Sequence, residues 1–130
     1  MVSGPGFTVS VPTGWAVRKN GKSLVATRGD GLVSVTRYTL LKPYEPSKFQ
    51  AAAKELDGIA AQLAAKNGGK VTKRETVEVA GRKTRAYTFE ADGRWMRIAF
   101  VLDDKTEYQL VCSGDARTAC DLLFSSFALG

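Results

Sequence analysis

The chain has 130 residues and a mass of 14.0 kDa, enough to bury about two thirds of its unfolded surface without help from a disulfide or a metal. A hydrophobic share of 44% and a charged share of 25% exclude wholesale disorder, and 19 Lys+Arg against 13 Asp+Glu give a net charge of +6 that favours anionic membranes, nucleic acid or acidic proteins without choosing among them. Histidine is absent, which excludes Ser-His and Cys-His nucleophiles and imidazole-containing zinc sites, so an enzyme built on this chain would have to use carboxylates, Lys or Tyr.

Met1 to Gly6 lack the charged and apolar regions of a secretory signal. They are expected to be an unordered N-terminus or a cloning remnant, with any export signal already removed, and residues 1–130 are read as one domain. No apolar run approaches the ~20 residues of a membrane-spanning helix. Phe7-Thr8-Val9-Ser10-Val11 alternates apolar and polar residues, the period of a strand with one buried face. Pro12-Thr13-Gly14 turns the chain into a strand opened by Trp15, and Asn20-Gly21 is a hairpin signal because both residues tolerate positive φ. Ser23 to Arg28 and Leu32 to Leu41 follow, joined by Gly29-Asp30-Gly31, which predicts a four-strand meander.

Phe49, Ala52, Ala53, Leu56, Ile59, Ala60 and Leu63 then recur at helical spacing. They predict an amphipathic helix opened at Pro46 or Ser47, stopped by Asn67-Gly68-Gly69, with its whole stripe against the sheet. Strand period returns in Val71–Val79, Arg82–Glu90 and Arg94–Leu102, with turns at Ala80-Gly81 and Asp92-Gly93; Asp103-Asp104-Lys105 reverses the chain into Glu107–Cys112. Asp115 is placed to cap a last helix that turns Ala116, Cys120, Leu123, Phe124 and Phe127 inward. Hairpins imply antiparallel neighbours, so this order predicts an α+β fold with a largely antiparallel sheet.

Cys112 ends the last predicted strand and Cys120 lies early in the last helix, so a short return loop can bring them to bonding range. Such a bridge contributes roughly 2–3 kcal/mol and points to an oxidising compartment; the other reading is two buried thiols that pack as small hydrophobes. Neither the cysteine spacing nor the glycines form a redox, metal-binding or phosphate-binding motif, and no cofactor is expected. Lys70, Lys73, Arg74 and Arg82 crowd the later strands together with Lys83, Arg85, Arg94 and Arg97. The last four form the candidate binding patch, against the plainer reading of a solvated sheet face. Asp103-Asp104 is a carboxylate pair that fits a solvated turn better than catalysis. Tyr87, Phe89, Trp95 and Phe100 interleave with the basic strands as on nucleic-acid platforms, but alternation also places them in the core, and nucleic acid is not expected.

The opening Phe7-Thr8-Val9-Ser10-Val11-Pro12-Thr13-Gly14-Trp15, the Ala-rich helix, and Tyr108-Gln109-Leu110-Val111-Cys112 followed by Ser125-Ser126-Phe127-Ala128-Leu129 together resemble the PsbP-like superfamily. That superfamily includes the extrinsic photosystem II subunit, a Ran-binding nuclear import factor and many bacterial lipoproteins. The resemblance extends over nearly the whole chain. It implies an antiparallel sheet between helices, an α/β/α sandwich, and non-catalytic roles in binding or assembly. Bacterial members are often exported and lipid-anchored at an N-terminal cysteine, which this chain lacks near Met1. The resemblance transfers no functional residue.

The leading expectation is therefore a non-catalytic extracytoplasmic binding or scaffolding domain of envelope or lipoprotein type. Its partner is expected to be a protein or another envelope component, with an anionic membrane surface as a further option and a cytoplasmic location as the rival placement. The alternative is a carrier for a small apolar or amphipathic ligand, held between helix and sheet and oriented by Arg94, Arg97 or Lys83. The third is a histidine-independent enzyme. If the Cys112–Cys120 bridge forms, denatured non-reduced protein will show an intact mass about 2 Da below the dithiol value; the full dithiol mass would rule the bridge out.

Overall fold

The structure, a computed structural model, describes residues 1–130 apart from the side chain of Ala91. In chain order the elements are β1 (Val2–Gly4), β2 (Phe7–Val9), β3 (Ala16–Asn20), β4 (Ser23–Arg28), β5 (Gly31–Thr39), α1 (Phe49–Lys66), β6 (Lys70–Val79), β7 (Arg82–Ala91), β8 (Arg94–Asp103), β9 (Thr106–Ser113), α2 (Arg117–Ser126) and β10 (Ala128–Leu129). Ala80-Gly81 and Asp92-Gly93 take positive φ at both positions, the backbone that lets a two-residue turn match the twist of its strands. These turns make β6, β7 and β8 consecutive antiparallel neighbours. The result is a seven-stranded sheet in the order β3-β4-β5-β9-β8-β7-β6, in which β5 and β9 join one meander to the other.

The opening strand departs from the expected four-strand meander. Phe7–Val9 pairs instead with Val2–Gly4 and Ala128–Leu129 in a separate three-stranded sheet. Phe7 and Val9 are fully buried there, and the loop at Pro12–Gly14 carries the chain from that layer into the main sheet. The stretch expected to be unordered contributes β1, because Pro5-Gly6, with Gly6 at φ 83°, closes a hairpin onto β2.

Alternation then divides the main sheet into two faces. On one lie α2 and the small sheet, which together bury Val33, Val35, Ala99, Val101, Leu110 and Cys112. Phe7, Tyr108 and Phe127 pack there with ring centroids 5.4–5.8 Å apart, so one aromatic from each layer closes the contact. Cys112 of β9 and Cys120 of α2 are joined as a disulfide with their Cα atoms 5.7 Å apart, and both are buried. Ala116, Leu123, Phe124 and Phe127 are buried as expected, but Asp115 does not cap α2: the N-cap is Ala116 and no side chain bonds the first turn. A Cβ at Gly31 would collide with the Asp115 carbonyl, so the backbone here is pressed against β5 while the Asp115 side chain stays exposed.

On the other face lies α1. A 3-10 turn at Pro46–Lys48 leads into it, and Asn67 ends it by donating from its side chain and backbone to Leu63 O. Phe49, Ala53, Leu56, Ala60 and Ala64 form its buried line, where the alanines allow close approach to Tyr87, Phe89, Ile98 and Phe100. The line is narrower than the expected stripe. Ile59 is 44% exposed, because α1 packs on β6 and β7 and leaves that flank beyond its contact with the sheet.

The main sheet's edges are β3 and β6. β6 carries a register shift between Val71 and Lys73 and exposes Lys70, Lys73 and Arg74, devices that discourage a second sheet from adding to it. Truncation of Phe127 to Ala should cost about 3–5 kcal/mol, since it empties the junction of both sheets. Urea unfolding checks this through a lower midpoint at unchanged slope.

Candidate functional site

Because α1 covers only one side of its face, the rest of that face is left open. Register places Val111, Ser34 and Val25 side by side across β9, β5 and β4, in line with Ile98 under the helix. Ile98 is 5% exposed, while Val25, Ser34 and Val111, with Leu32 and Thr36 in the flanking rows, are only half-buried. The open surface is thus weakly polar and free of charge at its centre.

At the end of the sheet where β5 exits, the chain from Leu40 to Glu45 crosses towards α1. Two backbone hydrogen bonds hold it to the β8–β9 turn, Leu40 N donating to Lys105 O and Tyr44 N to Asp104 O, both 2.7 Å. A hollow of about 460 Å³ lies between this segment and the helix, walled by Leu40, Tyr44, Ala52, Leu56, Ile59 and Leu102. A second of about 320 Å³ adjoins it, lined by Tyr44, Pro46, Gly81, Arg82, Lys83 and Leu102. Tyr44 and Leu102 border both, so the two lie side by side as one trough; the larger hollow has aliphatic walls and a rim of mixed charge that includes Lys42, Lys48, Glu55 and Glu107, and the smaller carries Arg82 and Lys83. Burial pushes the Tyr44 phenol pKa up, against the opposing charge of Arg82.

Asp57 of α1 fixes the helix over β7. Arg85 donates to it from Nε at 2.9 Å and from Nη2 at 3.3 Å, and the Tyr87 hydroxyl donates to the same carboxylate. Burial alone would raise the Asp57 pKa, but the hydrogen bonds from Arg85 and Tyr87 and the Arg85 charge outweigh it and hold the carboxyl below its ordinary value. The Arg85 pKa is raised, first by its hydrogen bond to Asp57. That of Tyr87 is raised by burial and then by Asp57, so the phenol stays protonated at physiological pH. With two donors already on Asp57 and Tyr87 fully buried, the cluster is a clamp rather than an acid–base centre.

The four residues of the sequence-derived patch are separated. Lys83 and Arg85 share the α1 face; Lys83 lies over the Phe49 ring and Arg85 is held by Asp57. Arg94 binds Asp30 at 2.7 Å and donates to Ser113 Oγ at 3.0 Å at the far end of the sheet. Arg97 is on the opposite face, bonded to Glu75 at 2.9 Å and stacked over Phe124 at 4.4 Å. The carrier geometry is corrected with it: neither Arg94 nor Arg97 lines the trough, Lys83 does, and the space between helix and sheet is filled by side chains. Asp103 is paired with Arg82 at 3.0 Å and Asp104 sits in the turn at φ 53°. Tyr87, Phe89 and Phe100 are core residues, and Trp95 packs at the edge of the other core. Among the described residues no group of three or more His, Cys, Asp or Glu stands where it could hold a metal.

Sequence reasoning missed Asp57, Tyr44 and the exposed flank of Ile59. A signal for the first was present: Asp57 sits beside Leu56 at the margin of the helical stripe, and Arg85 and Tyr87 alternate on one strand face.

No protein-family model and no curated protein matches the chain. Solved structures do. Cyanobacterial PsbP (CyanoP) from Synechocystis superposes with a TM-score of 0.66 at 12% identity, over 96% of this chain and 87% of its own. LpqN of Mycobacterium tuberculosis, a protein involved in cell envelope biogenesis, gives 0.59 at 14% identity, over 95% and 82%. A Bacteroides thetaiotaomicron structure gives 0.63 at 12% identity, over 96% of this chain but 45% of its own. The chain has the PsbP-like fold, an α+β arrangement of antiparallel sheets with two helices.

Asp57 makes stability depend on acid. Its folded pKa lies below the ordinary 3.8, so its contribution is complete above the unfolded value and is lost as pH falls through the folded one. Asp57→Asn should cost about 1–2 kcal/mol at neutral pH, reduced from a fully buried pair because a third of Asp57 is exposed. Urea midpoints of wild type and variant should converge below the folded pKa; a gap unchanged by acid would refute the clamp.

Proposed function

We propose that the chain is a non-catalytic, extracytoplasmic binding or scaffolding domain of bacterial envelope type. The observation that carries this reading is the half-covered sheet. α1 packs on β6 and β7 and leaves Val25, Leu32, Ser34, Thr36 and Val111 only half-buried. A broad, rigid and centrally uncharged sheet surface suits contact with a partner, since long charged side chains need not be desolvated there. Its β-sheet framework holds it in shape before any encounter.

Two further features support the location and the absence of catalysis. The Cys112–Cys120 bridge fits an oxidising compartment, and LpqN, one of the proteins with a similar fold, is involved in cell envelope biogenesis. The carboxylates closest to an acid–base arrangement are engaged, Asp57 by Arg85 and Tyr87 and Asp103 by Arg82. The partner is a protein or another envelope component.

Ser34→Arg tests the reading, because it plants a long cation in the middle of the open surface without entering the core. Immobilised wild type and variant are challenged with envelope extract beside a charge-matched control protein. The expected result is a component enriched on wild type and recovered about tenfold less on the variant. Equal recovery on both, or no enrichment over the control, would overturn it.

A further inference from the structure

The geometry points to a single-chain anionic amphiphile, one hydrocarbon tail with a carboxylate or phosphate head, as the occupant of the trough between α1 and the Leu40–Glu45 segment. This inference goes beyond the open-surface reading, at a separate site on the α1 side of the sheet.

The tail end follows from the walls. Leu40, Ala52, Leu56 and Ile59 present aliphatic carbon along one side of α1, and Ile59 is 44% exposed although it continues the helix's apolar repeat. The hollow of about 460 Å³ lies within the roughly 300–1,000 Å³ of small-molecule sites. It is elongated by its junction with the second hollow at Tyr44 and Leu102, a shape suited to a flexible chain.

The head end follows from charge and from a missing acceptor. Arg82 and Lys83, consecutive at the start of β7, both line the second hollow. Arg82 Nη2 is held by Asp103 at 3.0 Å, while its Nε is buried and has no hydrogen-bond partner. A buried donor of this kind is costly; as placed it is closed to the hollow, and a ligand oxygen reaches it once the Arg82 side chain turns. Among the described residues Lys83 has no carboxylate partner either. Carboxylate or phosphate oxygens admitted beside Tyr44 would meet both needs with charge-assisted hydrogen bonds. The balance of charge sets the direction. Lys42 and Lys48 line the larger hollow together with Glu45, Glu55 and Glu107, and Glu45 is partnered by Lys48 at 3.6 Å, so carboxylates outnumber ammonium groups there and an anionic head is favoured at the Arg82 and Lys83 end. A neutral or cationic head would leave the Arg82 and Lys83 end unmet.

The test is calorimetric titration of the full chain with laurate and lauroyl lysophosphatidic acid, and with monolaurin and dodecyltrimethylammonium as neutral and cationic controls, all below their micelle thresholds. The expected result is one-to-one binding of an anionic ligand at least about tenfold tighter than either control, weakened by salt. A preference for laurate assigns a free fatty acid, and a preference for the phosphate assigns a phospholipid product. Lys83→Gln, exposed and outside the core, should weaken binding about tenfold. Ile59→Glu should remove it, with the unfolding midpoint of each variant confirming that it folds. Tail-only binding that ignores the head, a cationic preference, no binding, or wild-type affinity in Lys83→Gln would overturn the inference. Amphiphile failure with a Ser34→Arg-sensitive partner still captured would sink this inference alone; failure of capture would sink the binding-surface reading.

Discussion

The ladder between β5 and β9 is the interaction on which the rest of the molecule depends. Leu32 to Thr39 pair in register with Ser113 to Thr106, so residues from distant parts of the chain become neighbours. Closing so long a loop carries an entropic cost that grows slowly with length but is incurred before any contact forms. Burial of Val33, Val35, Leu110 and Cys112, all at 1% exposure or less, offsets it. Without this ladder the two meanders would be separate half-sheets. α2 would lose its seat on β9 and β5, and the Leu40–Glu45 segment would lose the β8–β9 turn to which it is bonded.

The position of α1 translates that architecture into a surface. Its buried line is largely alanine, so the helix comes close to the sheet but covers little width. A helix with larger residues on both flanks would spread over more strands. The Asp57 clamp then fixes the placement, since Arg85 and Tyr87 stand on β7 and meet a carboxylate that only this helical register presents. A narrow apolar line and a polar latch together leave one half of a sheet face open and a trough along the helix.

Much of this was legible in the sequence where the determinants are local. Ala80-Gly81 and Asp92-Gly93 specify their turns by backbone preference alone, and the Phe49–Leu63 repeat marks a helix through its period. The Cys112–Cys120 pair is eight positions apart in sequence and needs little more than a return loop. The rest depends on contacts between distant segments. Phe7–Val9 looks like any half-buried strand, and its alternation cannot say that Ala128–Leu129 will pair with it. Ile59 fits the helical stripe perfectly well; its exposure is set by how far the sheet is covered, which no window of sequence contains. The basic residues show the same limit: Arg85, Arg94 and Arg97 are close in the chain, yet pleat and strand length send them to different faces and ends.

The shortness of the loop closed by the disulfide has its own consequence for biogenesis. The bond links the last long strand to the helix beside it and does not span the β5–β9 closure. Local chain alone can therefore bring the two thiols together, so oxidation and the slow joining of the meanders are separable events. A thiol-oxidising catalyst would need to recognise only this terminal strand–helix unit. Reduction of the folded protein, conversely, would loosen the attachment of α2 while leaving the register of the seven-stranded sheet intact.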